Sequence, residues 1–348
     1  MSTEKITIGV VGVGMVGSQL ARYFKEARGY RRGKDLFLYD KDPKKRMQDD
    51  VNKASIIFLC VPTPPTGTGG ACDTSAIDAV MKTLTSEKTV VVKSTVPPGT
   101  TERLQKAYPH HVLFNPEFLT ESRAWEDMLR PDRQVVGYTN NSKDHASMVL
   151  NLLPKAFFAS PGTQGTYNFI RINATEAEMG KYAGNVFGAL KVTYANILAD
   201  LCEAVGQHIK KENISSPVEY EHVRMMLAHD HRIGDAWLNV EHNLYRGFGG
   251  ACFPKDVSAL RMQARTLLKK IPRGAMLRKR FEKAVKLLDA VWEYNETLLA
   301  SQGLTVEDVS VHDREWISKK LSARGVLPRR ISLRLGSASG RKTKTKII

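Results

Sequence analysis

Only four cysteines, Cys60, Cys72, Cys202 and Cys252, occur among 348 residues, and no two stand as a CxxC pair. That spacing excludes a disulfide framework and a cysteine-based zinc site, so no metal is expected. No apolar run approaches the ~18 residues that read as a membrane span. The opening Met1-Ser2-Thr3-Glu4-Lys5 leads straight into a strand-like segment without a signal-peptide pattern, so a cytoplasmic location is expected. Acidic residues are missing from Trp316 to Ile348, a stretch that holds ten Lys or Arg. Most of the net charge of +16 is therefore local to this tail, which reads as a solvated, partly disordered segment rather than a nucleic-acid-binding surface. The remaining body is moderately basic, which suits an anionic cofactor and an anionic substrate.

What is present begins with Gly12-Val13-Gly14-Met15-Val16-Gly17, set between the strand-like Ile6 to Val11 and a helical stretch from Ser18 to about Ala27. A glycine turn of this spacing lets backbone approach a pyrophosphate, and the helix that follows directs its N-terminus at the phosphate charge. A second strand, Leu36-Phe37-Leu38-Tyr39, ends in Asp40, at the spacing of a carboxylate that grips a ribose 2′-hydroxyl. Asp40 favours NAD, because a 2′-phosphate would meet its negative charge.

Further apolar runs at 56–61, 89–92, 111–114 and 134–137 have the short, β-branched character of buried parallel strands. The fold class read from this pattern is α/β: an N-terminal Rossmann doubly wound parallel sheet over residues 1–167, followed by an α-helical central domain over 168–298. A basic tail is expected over 299–348. The strand-end segments carrying Val61-Pro62-Thr63-Pro64, Lys93-Ser94-Thr95 and Asn115-Pro116-Glu117-Phe118-Leu119 lie where ligands bind in such sheets.

In the helical half, Met179, Tyr182, Ala183, Val186, Leu190, Tyr194, Ile197, Leu198 and Leu201 form a stripe at helical spacing, read as core or dimer interface. Lys181 and Asn185 stand four residues apart on the other face. Downstream, Gly247-Phe248-Gly249-Gly250-Ala251-Cys252-Phe253-Pro254-Lys255-Asp256 offers a nucleophile's seat. Its glycines admit a ligand, a nearby ammonium such as Lys255 favours the thiolate, and Asp256 is placed to orient a proton or a water.

Taken in order, GVVGVGMVG, FLCVPTPP, KSTVPPGTT, NPEFLTES, the Lys181 to Asn185 helix and GFGGACFPKD resemble the nucleotide-sugar dehydrogenases of the UDP-glucose/GDP-mannose dehydrogenase family, from about residue 5 to about Glu296. The resemblance implies a four-electron oxidation of a sugar C6 alcohol to a carboxylate with NAD as cofactor, UDP-glucose as the first expected substrate, and a homodimer through the central helix. It implies Cys252 as nucleophile, Lys181 and Asn185 as oxyanion donors, and Asp256, Glu117 and Thr95 as organisers of water and protons. Gly12, Gly14, Met15, Val16, Gly17, Asp40, Val61, Pro62, Thr63, Pro64 and Thr95 are implied on the cofactor. Glu117, Phe118, Leu119, Glu121, Lys181, Asn185, Phe248, Gly249 and Cys252 are implied on the substrate, with Arg232 reaching the substrate of a neighbouring subunit. The family's second Rossmann-like domain has no counterpart in the motifs after Ala300, and the segment from Arg232 to Cys252 is longer than its pattern. Two alternatives therefore stand beside UDP-glucose oxidation. One is oxidation of GDP-mannose or a UDP-N-acetylhexosamine, and the other is a truncated NAD-binding, oligomerising protein of low activity.

Overall fold

The computed structural model describes residues 5–67, 69–158, 165–212, 217–241 and 244–324. Five strands, β1 (Ile8–Val11), β2 (Leu36–Tyr39), β3 (Ile56–Leu59), β4 (Thr89–Val92) and β5 (His111–Phe114), pair in parallel in the order β2-β1-β3-β4-β5. Their near-unbroken apolar sequences have the cause expected for parallel strands, since both faces are covered. Alternate residues serve two cores: Ile56 and Phe58 face one, Ile57 and Leu59 the other. Helix α1 (Met15–Glu26) covers the first face, while α2 (Ser75–Thr83) and α3 (Thr100–Ala107) cover the second. The winding reverses between β1 and β3, and the crevice beyond the carboxyl ends at such a switch point is the ligand site of this architecture.

The run 134–137, expected as one more parallel strand, is split instead. β6 (Arg133–Val135) leaves the main sheet to pair in parallel with β8 (Tyr167–Phe169), whereas β7 (Gly137–Tyr138) closes the main sheet antiparallel to β5. Gly137 permits the turn between them: a Cβ there would stand 2.7 Å from Ala177 Cβ and 2.9 Å from Ala174 Cα. The short helices α4 (Ala124–Leu129) and α5 (Ala146–Leu152) complete the first core.

The central part is built on α6 (Ala174–Lys211), opened by a capping box in which Asn173 bonds the Glu176 N–H and Glu176 returns the bond. At 38 residues it extends ~57 Å and links the sheet to the helical half. Helices α7 (Tyr220–Ala228), α8 (Phe253–Lys270) and α9 (Met276–Ser301) follow, with α8 and α9 packed on α6. The α6 stripe serves two purposes: Tyr182 and Val186 are buried, while Met179, Tyr194, Ile197 and Leu201 are exposed together with Phe187.

Residues after 299 correct the expectation of a tail. Helices α10 (Val306–Val311) and α11 (Arg314–Ala323) fold back, and Leu304, Val306, Val309, Ile317 and Leu321 enter the same core as Trp292 and Leu299. The cause is their helical apolar spacing, which the basic residues between them obscure. Most of the basic stretch, 325–348, lies outside the described residues. Among the described residues no helix is long and apolar enough to cross a membrane.

Candidate active site

At the end of β1, Gly12 has φ +88°, and a Cβ on it would lie 2.7 Å from the Cys60 carbonyl oxygen. A Cβ on Gly17 would meet the Gly12 carbonyl oxygen at 2.0 Å, so α1 can start here only because both residues are glycine. Gly14 is the N-cap of α1 and supplies no side-chain cap, which leaves the first N–H groups of the helix to a ligand. Asp40, nearly buried, accepts from the Val13 N–H at 2.8 Å and the Asp42 N–H at 3.0 Å, and Lys45 Nζ sits 2.7 Å from its Oδ2. Burial pushes its carboxyl upward, but Lys45 and the two N–H groups outweigh it and hold it below the usual carboxylate range. A glycine turn that any Cβ would fill, an uncapped helix start and an anionic carboxylate at the next strand end together fit NAD.

The second half of the site comes from α6 and α8. Cys252 is the N-cap of α8 and the exposed member of the four cysteines. Pro254 sits in the first turn, where a missing N–H breaks no helical bond. The Asn185 side-chain amide donates to Asp256 Oδ2, and Lys255 Nζ donates to Oδ1. Asp256 is only 1% exposed and both its oxygens are engaged. Burial pulls the Lys181 amine below the ordinary lysine range, against the upward pull of Asp256, Cys252 and Glu117. Cys60 shares the cleft, but burial pushes its thiol up to about 12, against the opposing pull of Lys93.

Between β5 and the helices, Glu117 Oε1 accepts from its neighbours' N–H groups, Phe118 at 2.8 Å and Leu119 at 3.2 Å. Its Oε2 lies 2.9 Å from Lys93 Nζ, an ionic contact without aligned hydrogen-bond geometry. Lys93 is 4% exposed and also donates to Asn115 Oδ1 at 2.7 Å. The Thr63 hydroxyl donates to the Thr95 carbonyl at 2.7 Å, tying the two cofactor loops together.

These pieces share one cleft of about 1220 Å³. Gly12, Gly14, Met15, Val16, Asp40, Val61, Pro62, Thr63, Pro64 and Thr95 line one part of it, and Glu117, Leu119, Lys181, Cys252 and Lys255 line another. Asn185 and Asp256 stand behind this wall, bonded to each other. Gly17 serves the packing of α1 behind the turn.

Other expected substrate contacts lie elsewhere. Phe118 lines an adjoining hollow of about 250 Å³ that shares Lys93, Glu117 and Leu119 with the cleft, with the Arg133 guanidinium 3.8 Å and Lys181 Nζ 5.4 Å from its ring centroid. Glu121 is exposed on a short 3₁₀ turn and lines neither space. Arg232 is exposed and paired with Asp230. Phe248 does not line the cleft: its ring is buried in the helical core beside Trp292, and Asn295 takes both its N–H and its carbonyl. Gly249 is small for packing, since a Cβ would come within 2.9 Å of Val309 on α10. Two residues were given no role of their own in the sequence. Lys93 was named only within its strand-end segment, although a lysine directly after the Thr-Val-Val-Val strand was a signal, and Glu178 was signalled by its place one turn before Lys181.

Residues 44–153 match the NAD binding domain of the UDP-glucose/GDP-mannose dehydrogenase family, and residues 175–278 match its central domain. A UDP-glucose 6-dehydrogenase of Rickettsia conorii (strain ATCC VR-613 / Malish 7) is 35% identical over 251 residues, covering 70% of this chain and 50% of the relative. That of Rickettsia typhi (strain ATCC VR-144 / Wilmington) is 36% identical over 251 residues, with 70% and 51% covered. The chain spans about half the length of these curated relatives. Among solved structures, a UDP-glucose dehydrogenase from the hyperthermophilic archaeon Pyrobaculum islandicum superposes with a TM-score of 0.62 at 26% identity, over 85% of this chain and 69% of that one. With the NAD-binding and central domains matched in order, and the glycine turn and Asp40 preceding the first of them, the chain belongs to the UDP-glucose/GDP-mannose dehydrogenase family.

Proposed function

We propose that this chain carries the NAD-dependent oxidation of UDP-glucose to UDP-glucuronate, with Cys252 as covalent nucleophile. The observation that supports it is the shared cleft, in which the glycine turn, Asp40 and Thr95 open onto the same space as Lys181, Glu117 and Cys252. NAD, when bound, supplies the hydride acceptor for each of two oxidations. The first converts the C6 alcohol to an aldehyde, with Lys181 on the cleft wall holding the negative charge that develops on oxygen and Asn185, bonded to Asp256, supporting it from behind. Such donors contribute ~10² to 10³ in rate. Cys252 Sγ then bonds to the aldehyde carbon and its proton passes to the oxygen, giving a thiohemiacetal. Loss of the carbon-bound hydrogen as hydride and of the hydroxyl proton leaves a thioester. Water attacks that carbon, the C–S bond breaks, and the acid and the free thiol result. One alcohol, two NAD and one water give one carboxylic acid, two NADH and two protons.

Glu117 and Thr95 face the water and proton traffic from the wall, while Asp256 orients Asn185 and Lys255. A homodimer through the exposed Met179, Phe187, Tyr194 and Leu201 face of α6 and a reducing cytoplasmic location, where Cys252 stays a free thiol, complete the reading. The test is NADH formation from UDP-glucose, GDP-mannose and UDP-N-acetylhexosamines. UDP-glucose is expected to be oxidised with two NADH per uronic acid. Absence of NADH with every sugar refutes the reading, and a preference for another sugar refutes its substrate.

A further inference from the structure

One fully buried carboxylate has no part in that chemistry. Glu178 is 0% exposed; its Oε1 accepts from the Thr101 N–H at 2.8 Å and the Thr101 hydroxyl at 2.6 Å, and its Oε2 from the Gly99 N–H at 2.6 Å. These donors form the start of α3, whose own N-cap, Gly99, has φ +94° and no side chain to offer. A helix end in the nucleotide-binding sheet is therefore capped by an acid from the central helix. Glu178 stands one turn before Lys181 and two turns before Asn185 on α6. The capped turn, residues 96–99, follows Thr95 directly. The other catalytic helix grips the same turn, since Gln263 on α8 donates its side-chain amide to the Pro98 carbonyl at 3.0 Å.

We infer that Glu178 is a positioning residue: it sets the cofactor loop at Thr95 in register with Lys181 and Asn185. The inference rests on the dehydrogenase reading of the cleft. A carboxylate is the side chain that accepts all three bonds at once. A glutamine keeps the volume but turns an N–H₂ toward one of the donors. The glycine turn and Asp40 stand on β1, α1 and the end of β2, which take no part in the bonds to Glu178. Loss of register therefore falls on the chemical step, where a displacement of about 1 Å costs about 10²-fold.

The experiment compares full-length wild type with Glu178→Gln and with Thr101→Val, which removes only the hydroxyl donor and serves if Glu178→Gln does not fold. NAD affinity is measured by fluorescence titration, and kcat and KM with UDP-glucose by NADH formation. For Glu178→Gln, kcat is expected to fall at least about tenfold while the NAD Kd and the UDP-glucose KM stay within about threefold. Thr101→Val should move kcat alone in the same direction, by about threefold. A kcat within twofold of wild type for whichever variant folds overturns the inference, as does a fall in NAD affinity as large as the fall in kcat. An inactive wild type sinks the dehydrogenase reading itself, whereas an active wild type with equally active variants sinks only the role of Glu178.

Discussion

Replacing Glu178 by glutamine should also change how stability depends on pH. Burial pushes the Glu178 carboxyl up to about 7, overcoming the hydrogen bonds from Thr101, Gly99 and Thr100 that favour the anion. An unfolded chain returns it to ~4.3. The folded value is the higher, so the stability contributed by the protonated form is full below the unfolded value and is lost as pH rises through about 7. Between about pH 5 and about pH 8.5 the native carboxyl gives up its proton, while the unfolded one has lost most of its own already. Roughly two pH units of difference at ~1.4 kcal/mol each amount to about 2–3 kcal/mol. Other titrating groups act equally in both proteins and cancel in the difference. Urea unfolding at several pH values reads the gap between wild type and Glu178→Gln, which should shift against wild type by that amount from acid to alkaline conditions. A gap independent of pH would refute the reasoning. A gap that grows in favour of wild type would mean that the three donors outweigh burial.

Cys252→Ala should abolish acid formation while NAD binding persists, and Cys252→Ser should accumulate a covalent ester detectable by intact mass, because an alkoxide leaves more slowly than a thiolate; acid formation at near the normal rate by Cys252→Ala would end the thioester route. Lys93→Met leaves the Glu117 carboxylate facing a buried space without its cation, which should cost about 3–5 kcal/mol in chemical denaturation, with much of it recovered in Lys93→Met combined with Glu117→Gln. Gly188→Ala would place a Cβ 2.6 Å from the Phe253 ring where α6 meets the start of α8, so stability should fall by about 1–3 kcal/mol and the alkylation rate of the adjacent Cys252 should change; unaltered melting and alkylation would show that the ring yields freely.

Much of the fold was legible because its signals are local. Short apolar runs marked the parallel strands, and the turn from Gly12 to Gly17 needs no distant partner to be read. Lys181, Asn185 and Cys252 were legible as motifs. What failed depended on tertiary context. Phe248 lies in a glycine-rich loop that suggests access, yet Asn295, 47 residues away, draws its backbone into the core. The break at 136–137 is set by the close approach of α6, for which the glycine at the end of the run 134–137 is the one local sign. Helices α10 and α11 were hidden by a charge count: a basic sequence can still present an apolar stripe, and Ile317 and Leu321 do so within it.

The division of labour among the acids follows from which oxygens are already committed. A general base must offer a lone pair to water or to a substrate hydroxyl at hydrogen-bond distance. Asp256 has both oxygens bonded, one to Asn185 and one to Lys255, and is almost wholly buried, so its role is to hold those two groups toward the cleft. Glu117 has Oε1 shared between two backbone N–H groups and a buried Oε2 paired with the Lys93 ammonium, so although it lies on the wall that carries Cys252 and Lys181, its oxygens are engaged as well. Lys181, whose amine burial pulls downward, releases a proton more readily than a solvated lysine and takes one back as negative charge develops beside it. On the proposed route, proton movement at the reacting carbon falls first to Lys181, and Asp256 and Glu178 act from behind, one fixing Asn185 and Lys255 and the other fixing the cofactor loop against the helix that bears Lys181.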